Sequence, residues 1–373
     1  MFEHLRVIEL ASVLAGPSVG QFFAELGAEV IKIENPNTGG DVTRSWKSPS
    51  EPADDDRSAY FSCCNWGKKS VCLDLSDAQQ LQSLHRLVRT ADVMITSYKP
   101  GDAEKLKVDF TSILNINPRI VYGEITGYGT GDDRVGYDAV IQAEAGFMSI
   151  NGEPDGGPLK MPVALIDVLA AHQLKEGLLL ALMARIKDNR GRCVSVSLFD
   201  AAVASLVNQA TNWLVAGQVP VRQGSSHPNI APYGDSFLSR DGKQIMLAVG
   251  SDRQFADLCD ILGRADWASQ PEFATNVLRV SNREQLRSRL AGRFSQMEAD
   301  ELLRQFRERK IPAGLIRNIR EVFELPETSA ILLRGVSFTG VRHIVAGGLS
   351  VQRALSPPPV LGAHTSEVLS ELN

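Results

Sequence analysis

Asp167 stands where KMPVALID, an apolar run of strand character, meets VLAAHQLKEGLLLAL, a long helical pattern. A carboxylate at a helix start has two roles open to it. It can cap the helix, since Asp is among the preferred N-cap residues, or it can attack an activated acyl group as a nucleophile. The positive end of a helix favours negative charge, so the position predicts an Asp167 that is ionised at neutral pH. Val163, Ala164, Leu165 and Ile166 are expected to crowd water away from it, as a reactive acyl intermediate requires.

Cations form the second chemical pattern. Lys32, Arg44, Lys47, Lys68, Lys69, Lys99 and Lys105 are expected in loops after successive strands of the first half. In open α/β sheets the loops after the strands face the ligand crevice, and a discontinuous basic collar there suits a ligand with several phosphates. The same residues also fit ordinary solvated surface charge. The loop AGPSVG has glycines only at Gly16 and Gly20 and lacks the G-x-G-x-x-G spacing, although Glu34 ends the next strand where a ribose-binding carboxylate would sit. A compact turn without a dinucleotide is the better reading. The six histidines are scattered and the five cysteines form no C-x-x-C pair, so neither a metal site nor a disulfide framework is expected.

The elements that must position these residues alternate in type. RVIEL reads as a strand, SVGQFFAELGA as a helix with Pro17 in its first turn, and EVIKIE as a strand. KSVCLDL, a helix over Asp77–Thr90, ADVMITSY, a helix near Asp109–Leu114 and IVYGEITGYG follow. That alternation predicts an α/β fold with a parallel, Rossmann-like sheet in a large domain over 1–214. GQVPVRQGSSHPNIAPYG marks a linker over 215–235. A smaller α+β domain is expected over 236–329, with a hairpin turning at Asp241–Gly242 and helices over Asp252–Leu262 and Arg283–Gln305. The chain has 373 residues, 43% hydrophobic and 22% charged, with a net charge of -5, which argues against nucleic acid as a partner. No apolar run is long enough to span a bilayer, MFEHLRVIEL lacks the pattern of a signal peptide, and a reducing cytoplasm is the plain expectation.

Taken in order, LASVLAGPSVGQFFAELGAEVIKIENP, GGDVTRSW, NWGKKSVCLDL, ADVMITSYKPG, GYGTGDDRVGYDAVIQAEAGFMSINGEP, LIDVLAAHQ, HPNIAPY, VGSDRQFADLCDILG, IPAGLIRNI and PPPVLGAHTSEVL run through nearly the whole chain. Together they resemble the family III CoA transferases, the CaiB/BaiF-like group that includes formyl-CoA transferase and carnitine CoA-transferase. The resemblance implies an interlocked homodimer, a large domain completed by 330–373, and an active site between the large domain of one subunit and the small domain of the other. It implies that Asp167 attacks an acyl-CoA thioester to form a mixed anhydride, then carries an aspartyl-CoA thioester. CoA is substrate rather than bound cofactor, and small carboxylic acids are the other partners. Leu14 and Ala15 match a loop lining the active site. Arg44, Lys69 and Lys105 match positions that contact CoA phosphates and ribose. Ser97 and Tyr98 match a segment flanking adenine and pantetheine, and Tyr137 and Asp138 match residues close to the nucleophile.

Two features separate this chain from formyl-CoA transferase. Leu14 replaces a glutamine, and QGSSHPNIAPY stands where that enzyme has a glycine-rich lid. The HPNIAPY form looks more like the branch acting on succinyl-CoA and other dicarboxylates. A dianion would need a second cation, for which Arg134 and the His227 loop are candidates. The related acyl-CoA racemases look to have a histidine where Tyr137 stands. Tyrosine, with an ordinary pKa of about 10, is a poor base at neutral pH, so transfer is preferred to racemisation.

Overall fold

The apolar runs of the first half form β1 Arg6–Leu10, β2 Glu29–Glu34, β3 Lys68–Cys72, β4 Val93–Thr96, β5 Val121–Thr126 and β6 Arg192–Ser197. In this computed structural model, which describes residues 1–347 and 354–372, the six pair in parallel in the order β3-β2-β1-β4-β5-β6. The direction of winding therefore reverses between β1 and β4, the switch point at which open α/β sheets hold ligands. Side chains alternate between the two faces. Val7, Val30, Val93 and Val121 pack against Val19 and Phe23 of the helix Ala15–Glu25 and Ala170, Leu174 and Leu178 of the helix Leu165–Asp188. Ile8, Ile31, Met94 and Tyr122 face the other way, onto Leu84, Leu87 and Val88 of the helix Ala78–Arg89.

The two loop glycines are explained by packing. A Cβ on Gly16 would lie 2.3 Å from Ala11 Cβ, and one on Gly20 would lie 1.8 Å from Glu9 Oε2. The helix Ala15–Glu25 thus rides directly over β1 and the residue after it, with glycine at the two points of closest approach. Gly20→Ala is expected to destabilise the chain by roughly 1–3 kcal/mol through overpacking. Thermal denaturation checks this, and a Tm within a degree of wild type would refute the close-approach account.

The chain divides into two units, Met1–Phe147 with Lys160–Ala216 and Ser329–Asn373, and Met148–Leu159 with Gly217–Thr328. The stretches 148–159 and 217–235, read from sequence as large domain and linker, thus both fall in the second unit. That unit has an antiparallel sheet of β7 Tyr233–Leu238, β8 Gln244–Ala248 and β9 Ala313–Leu315. Its core contains Phe255, Leu258, Trp267, Phe294 and Phe306. The helix expected over Arg283–Gln305 is two helices, Arg283–Phe294 and Ala299–Glu308. The β7–β8 turn takes up the backbone groups freed at the break: Arg240 N–H donates to Met297 O and Asp241 Oδ1 accepts from Ala299 N–H.

The last segment returns to the first unit. It forms β10 Leu332–Arg334 and β11 Thr339–Val341, an antiparallel pair. Glu25 accepts the backbone N–H groups of His343 and Ile344 at 2.8 and 3.2 Å, and Arg44 donates to Pro359 O at 3.1 Å. The closing helix Thr365–Ser370 places Val368 in the core layer of β3. Among the described residues no helix is long and apolar enough to cross a membrane.

Candidate active site

Asp167 is the third residue of the helix Leu165–Asp188 rather than its cap; Ala164 occupies the N-cap position and has no capping side chain. Asp167 is nearly buried, at 7% exposure, and among the described residues no hydrogen bond or ion pair satisfies its carboxyl. Burial, and then the charge of Asp138, push its pKa up to about 7. The expectation of a fully ionised carboxylate is therefore corrected. The helix terminus favours the anion, but desolvation without compensating donors outweighs that small effect. The apolar shield is also thinner than expected. Ile166 is buried, whereas Val163 is 59% exposed.

The segment leading to Asp167 is held by Asp138, at the start of the helix Asp138–Glu144. Asp138 Oδ1 accepts Ile166 N–H at 2.7 Å, the bond a cap would have made, and its Oδ2 accepts from Gln142 Nε2 at 2.7 Å. Gln142 is itself buried, and its Oε1 accepts Met161 N–H at 2.8 Å. One carboxylate thus both positions the first turn and raises the proton affinity of Asp167.

Asp167 opens into a cavity of 230 Å³ lined also by Val13, Ala15, Ser97, Tyr98, Lys99, Arg134, Tyr137 and Asp138. A second cavity of 420 Å³ runs along the C-terminal ends of β1 to β4 and shares Ser12, Ser97 and Tyr98 with the first. The residues matched at Ala15, Ser97, Tyr98, Tyr137 and Asp138 therefore gather around Asp167. Leu14, half-buried, is the N-cap residue of the helix that Ala15 begins.

The expected basic collar largely dissolves into ion pairs. Arg44 is buried, binds both oxygens of Glu34 at 2.7 and 2.8 Å, and presents no free guanidinium to a phosphate. Glu34, so engaged and also accepting from Ser70 Oγ, has no acceptor to spare for a ribose. Lys32 pairs with Glu9 and Asp41, and Lys68 with Glu9, all four buried. Lys69 pairs with Glu29 and Glu367 at 2.8 Å each. It lies at the start of β3, the end of the sheet away from the crevice. Lys105 is exposed and paired with Asp102. Lys99 differs: it is exposed, unpaired and on the lining of the Asp167 cavity. Arg134 lines that cavity while bound to Asp132 and stacked 3.7 Å over the Tyr128 ring. His227 belongs to the second unit, where its Nδ1 accepts Asn229 N–H.

Two contributors carry no sequence signal. Val13 has φ of 72°, a strained conformation for a β-branched residue. Asp41 holds it there by accepting its N–H at 3.3 Å, and Lys32 pins Asp41 at 2.9 Å. Tyr60 lies within the field of Asp167, and its pKa is pushed up to about 12 by burial first and by Asp167 next.

The sheet is doubly wound, and the crevice at its switch point leads to the largely buried Asp167 carboxyl, which makes this an α/β protein of the doubly wound class. The chain matches CoA-transferase family III over residues 2–365. It is 40% identical to the succinate–glutarate CoA-transferase of Agrobacterium fabrum, across 99% of this chain and 94% of that protein. It is 33% identical to the human succinyl-CoA:glutarate CoA-transferase, across 99% of this chain and 85% of that protein. A CaiB/BaiF family protein from Brucella suis superposes with a TM-score of 0.87 at 36% identity, covering 99% of this chain and 98% of that one. The chain belongs to CoA-transferase family III.

Proposed function

We propose that this chain moves CoA from succinyl-CoA to a small dicarboxylic acid such as glutarate, with Asp167 as the covalent carrier. The observation that carries the reading is the Asp167 carboxyl, mostly buried and unpaired in a cavity that shares its wall with the strand-end crevice. The names of the relatives from Agrobacterium fabrum and human support the choice of acids.

The ionised carboxylate attacks the thioester carbonyl, forming a mixed anhydride as the C–S bond breaks and CoA leaves as thiolate. The thiolate then attacks the aspartyl carbonyl, releasing the donor acid and leaving an aspartyl-CoA thioester. The acceptor carboxylate attacks that thioester, and the thiolate returns to its acyl carbon. Every step conserves the activated acyl bond, so the chemistry needs neither a metal nor a redox group. Asp138 keeps the first turn in place throughout. Ala15, Ser97, Tyr98 and Tyr137 line the path of the acyl-pantetheine, and Arg134 receives the distal carboxylate.

Lys99 and Lys105 are exposed cations of the segment after β4 that can meet a phosphate, in place of Arg44 and Lys69. Lys99→Ala is expected to raise KM for acyl-CoA roughly 5–20-fold with kcat nearly unchanged. A fall in kcat with KM constant would contradict a binding role.

Dimerisation fits the apolar face that Leu180, Met183 and Ile186 expose on the helix Leu165–Asp188, and the exposed apolar side chains of Trp213, Leu214 and Val215. Light scattering tests it. Five free cysteines suit a reducing cytoplasm. The activity itself is tested by incubating succinyl-CoA with glutarate and a panel of other acids and reading CoA esters by mass spectrometry. New esters, and borohydride trapping of an acylated Asp167, are expected. Exchange of the α-proton of a 2-methylacyl-CoA without any new ester would replace transfer with racemisation.

A further inference from the structure

The second unit contains a cavity of 360 Å³ walled by Arg222, Gln223, Gly224, Ser225 and Ser226 on one side and by Gly234, Asp235 and Ser236 of β7 on another. Arg283, Glu284 and Arg287, the first turns of the helix Arg283–Phe294, close it. Three guanidinium groups thus line one small cavity. Arg283 and Arg287 are one turn apart and share a helix face.

Their bonding is incomplete in a consistent way. Arg283 Nη2 donates to His227 O and Ile230 O at 2.6 and 3.2 Å, which fastens the neighbouring loop, but its buried Nη1 has no acceptor. The nearest, Asp235 Oδ2, is 4.0 Å away. The buried Nε of Arg222 has no acceptor either, and among the described residues its guanidinium makes no ion pair. Arg287 is exposed and unpaired. Buried polar groups in folded proteins are nearly always satisfied, so orphaned donors facing one cavity point to a missing acceptor.

We propose that the cavity between Arg222, Arg283 and Arg287 binds a compact dianion, a short dicarboxylate or inorganic phosphate. A planar guanidinium fork matches both anions, and the unfilled donors of Arg222 and Arg283 face one cavity from two sides. The acids in the wall do not fill that role. Asp235 is buried, engaged by Ser226 Oγ at 2.9 Å, and serves as the distant counter-ion of Arg283 alone. Glu153 and Glu284 are exposed and form no ion pair with any of the three arginines. Ser225, Ser226 and Ser236 add hydroxyl groups that accept or donate as a bound oxyanion requires. The site goes beyond CoA transfer at Asp167 and does not depend on it.

The test is calorimetric titration of the full-length protein, first saturated with CoA to fill the strand-end crevice, with sodium succinate and with inorganic phosphate separately. Saturable binding of at least one is expected in wild type, weakened at least tenfold in Arg222→Gln/Arg287→Gln. Arg287→Gln alone, at an exposed residue without contacts, keeps the fold and is expected to weaken binding at least threefold. Phosphate binding that the Gln variants weaken assigns the site to phosphate, and succinate binding that they weaken assigns it to a dicarboxylate; succinate held in the Asp167 cavity is untouched by these substitutions and does not count. If neither anion saturates, or both bind the Gln variants as tightly as wild type, the proposal fails.

Discussion

Asp167→Asn is expected to abolish CoA transfer, lowering kcat by roughly 10³-fold or more, because the amide cannot form the acyl anhydride. The same substitution is expected to make the protein more stable. Burial and the neighbouring Asp138 lift the Asp167 pKa from 3.8 to about 7. The folded state therefore holds a proton that the unfolded chain releases at lower pH. Such a group favours folding below about pH 4, and that contribution is lost as pH rises through 7. Asparagine mimics the protonated form at every pH. The variant should thus exceed wild type by on the order of 1–3 kcal/mol at pH 8, with the gap closing near pH 4. Denaturant unfolding at the two pH values, beside an acyl-CoA exchange assay, gives both answers. A variant that loses activity and stability together would mean that Asp167 supports the fold instead of straining it.

The second large effect concerns pH and Asp138. Transfer requires the ionised nucleophile, so kcat/KM should rise with pH and level off above about 7. Asp138→Asn removes the like charge while keeping an oxygen able to accept Ile166 N–H, the bond Asp138 makes at 2.7 Å. The midpoint of the rise is expected to move down by roughly 0.5–1 unit, making the variant relatively more active below pH 6. Asp138→Ala removes the hydrogen bond as well and should lower kcat at all pH values. An unmoved midpoint in Asp138→Asn would show that burial alone sets the proton affinity of Asp167.

The strands β1, β2, β4 and β5 were legible because each is an apolar run buried on both faces, and the runs alternate with amphipathic helices. The position of Asp167 at a helix start was legible for the same reason. Its protonation was not, because the charge that helps shift it comes from Asp138, far back along the chain. The ion pairs of Arg44 and Lys69 were not legible, because a sequence shows a cation but not its counter-ion. Glu34 reaches Arg44 only once the loop after β2 has folded back, and Glu29 reaches Lys69 only through the parallel pairing of β2 with β3. The break between Phe294 and Ala299 was hidden as well, since the β7–β8 turn that takes up the exposed backbone groups lies more than fifty residues earlier. Val13 gave no signal at all, because valine has no preference for the backbone conformation imposed on it.

The return of the last segment to the first unit has a consequence for biosynthesis. Glu25 receives its backbone partners from residues 318 and 319 positions later, and Arg44 finds Pro359 at a separation of 315. As the chain leaves the ribosome, the early sheet forms long before these partners exist. Near Glu25 and Arg44 it must wait with buried-type surface uncovered while the second unit is made. Contacts of such long range close slowly and leave aggregation-prone surface open meanwhile. The nascent protein is therefore a strong candidate client for a holding chaperone, and release from it should coincide with emergence of the final forty or so residues.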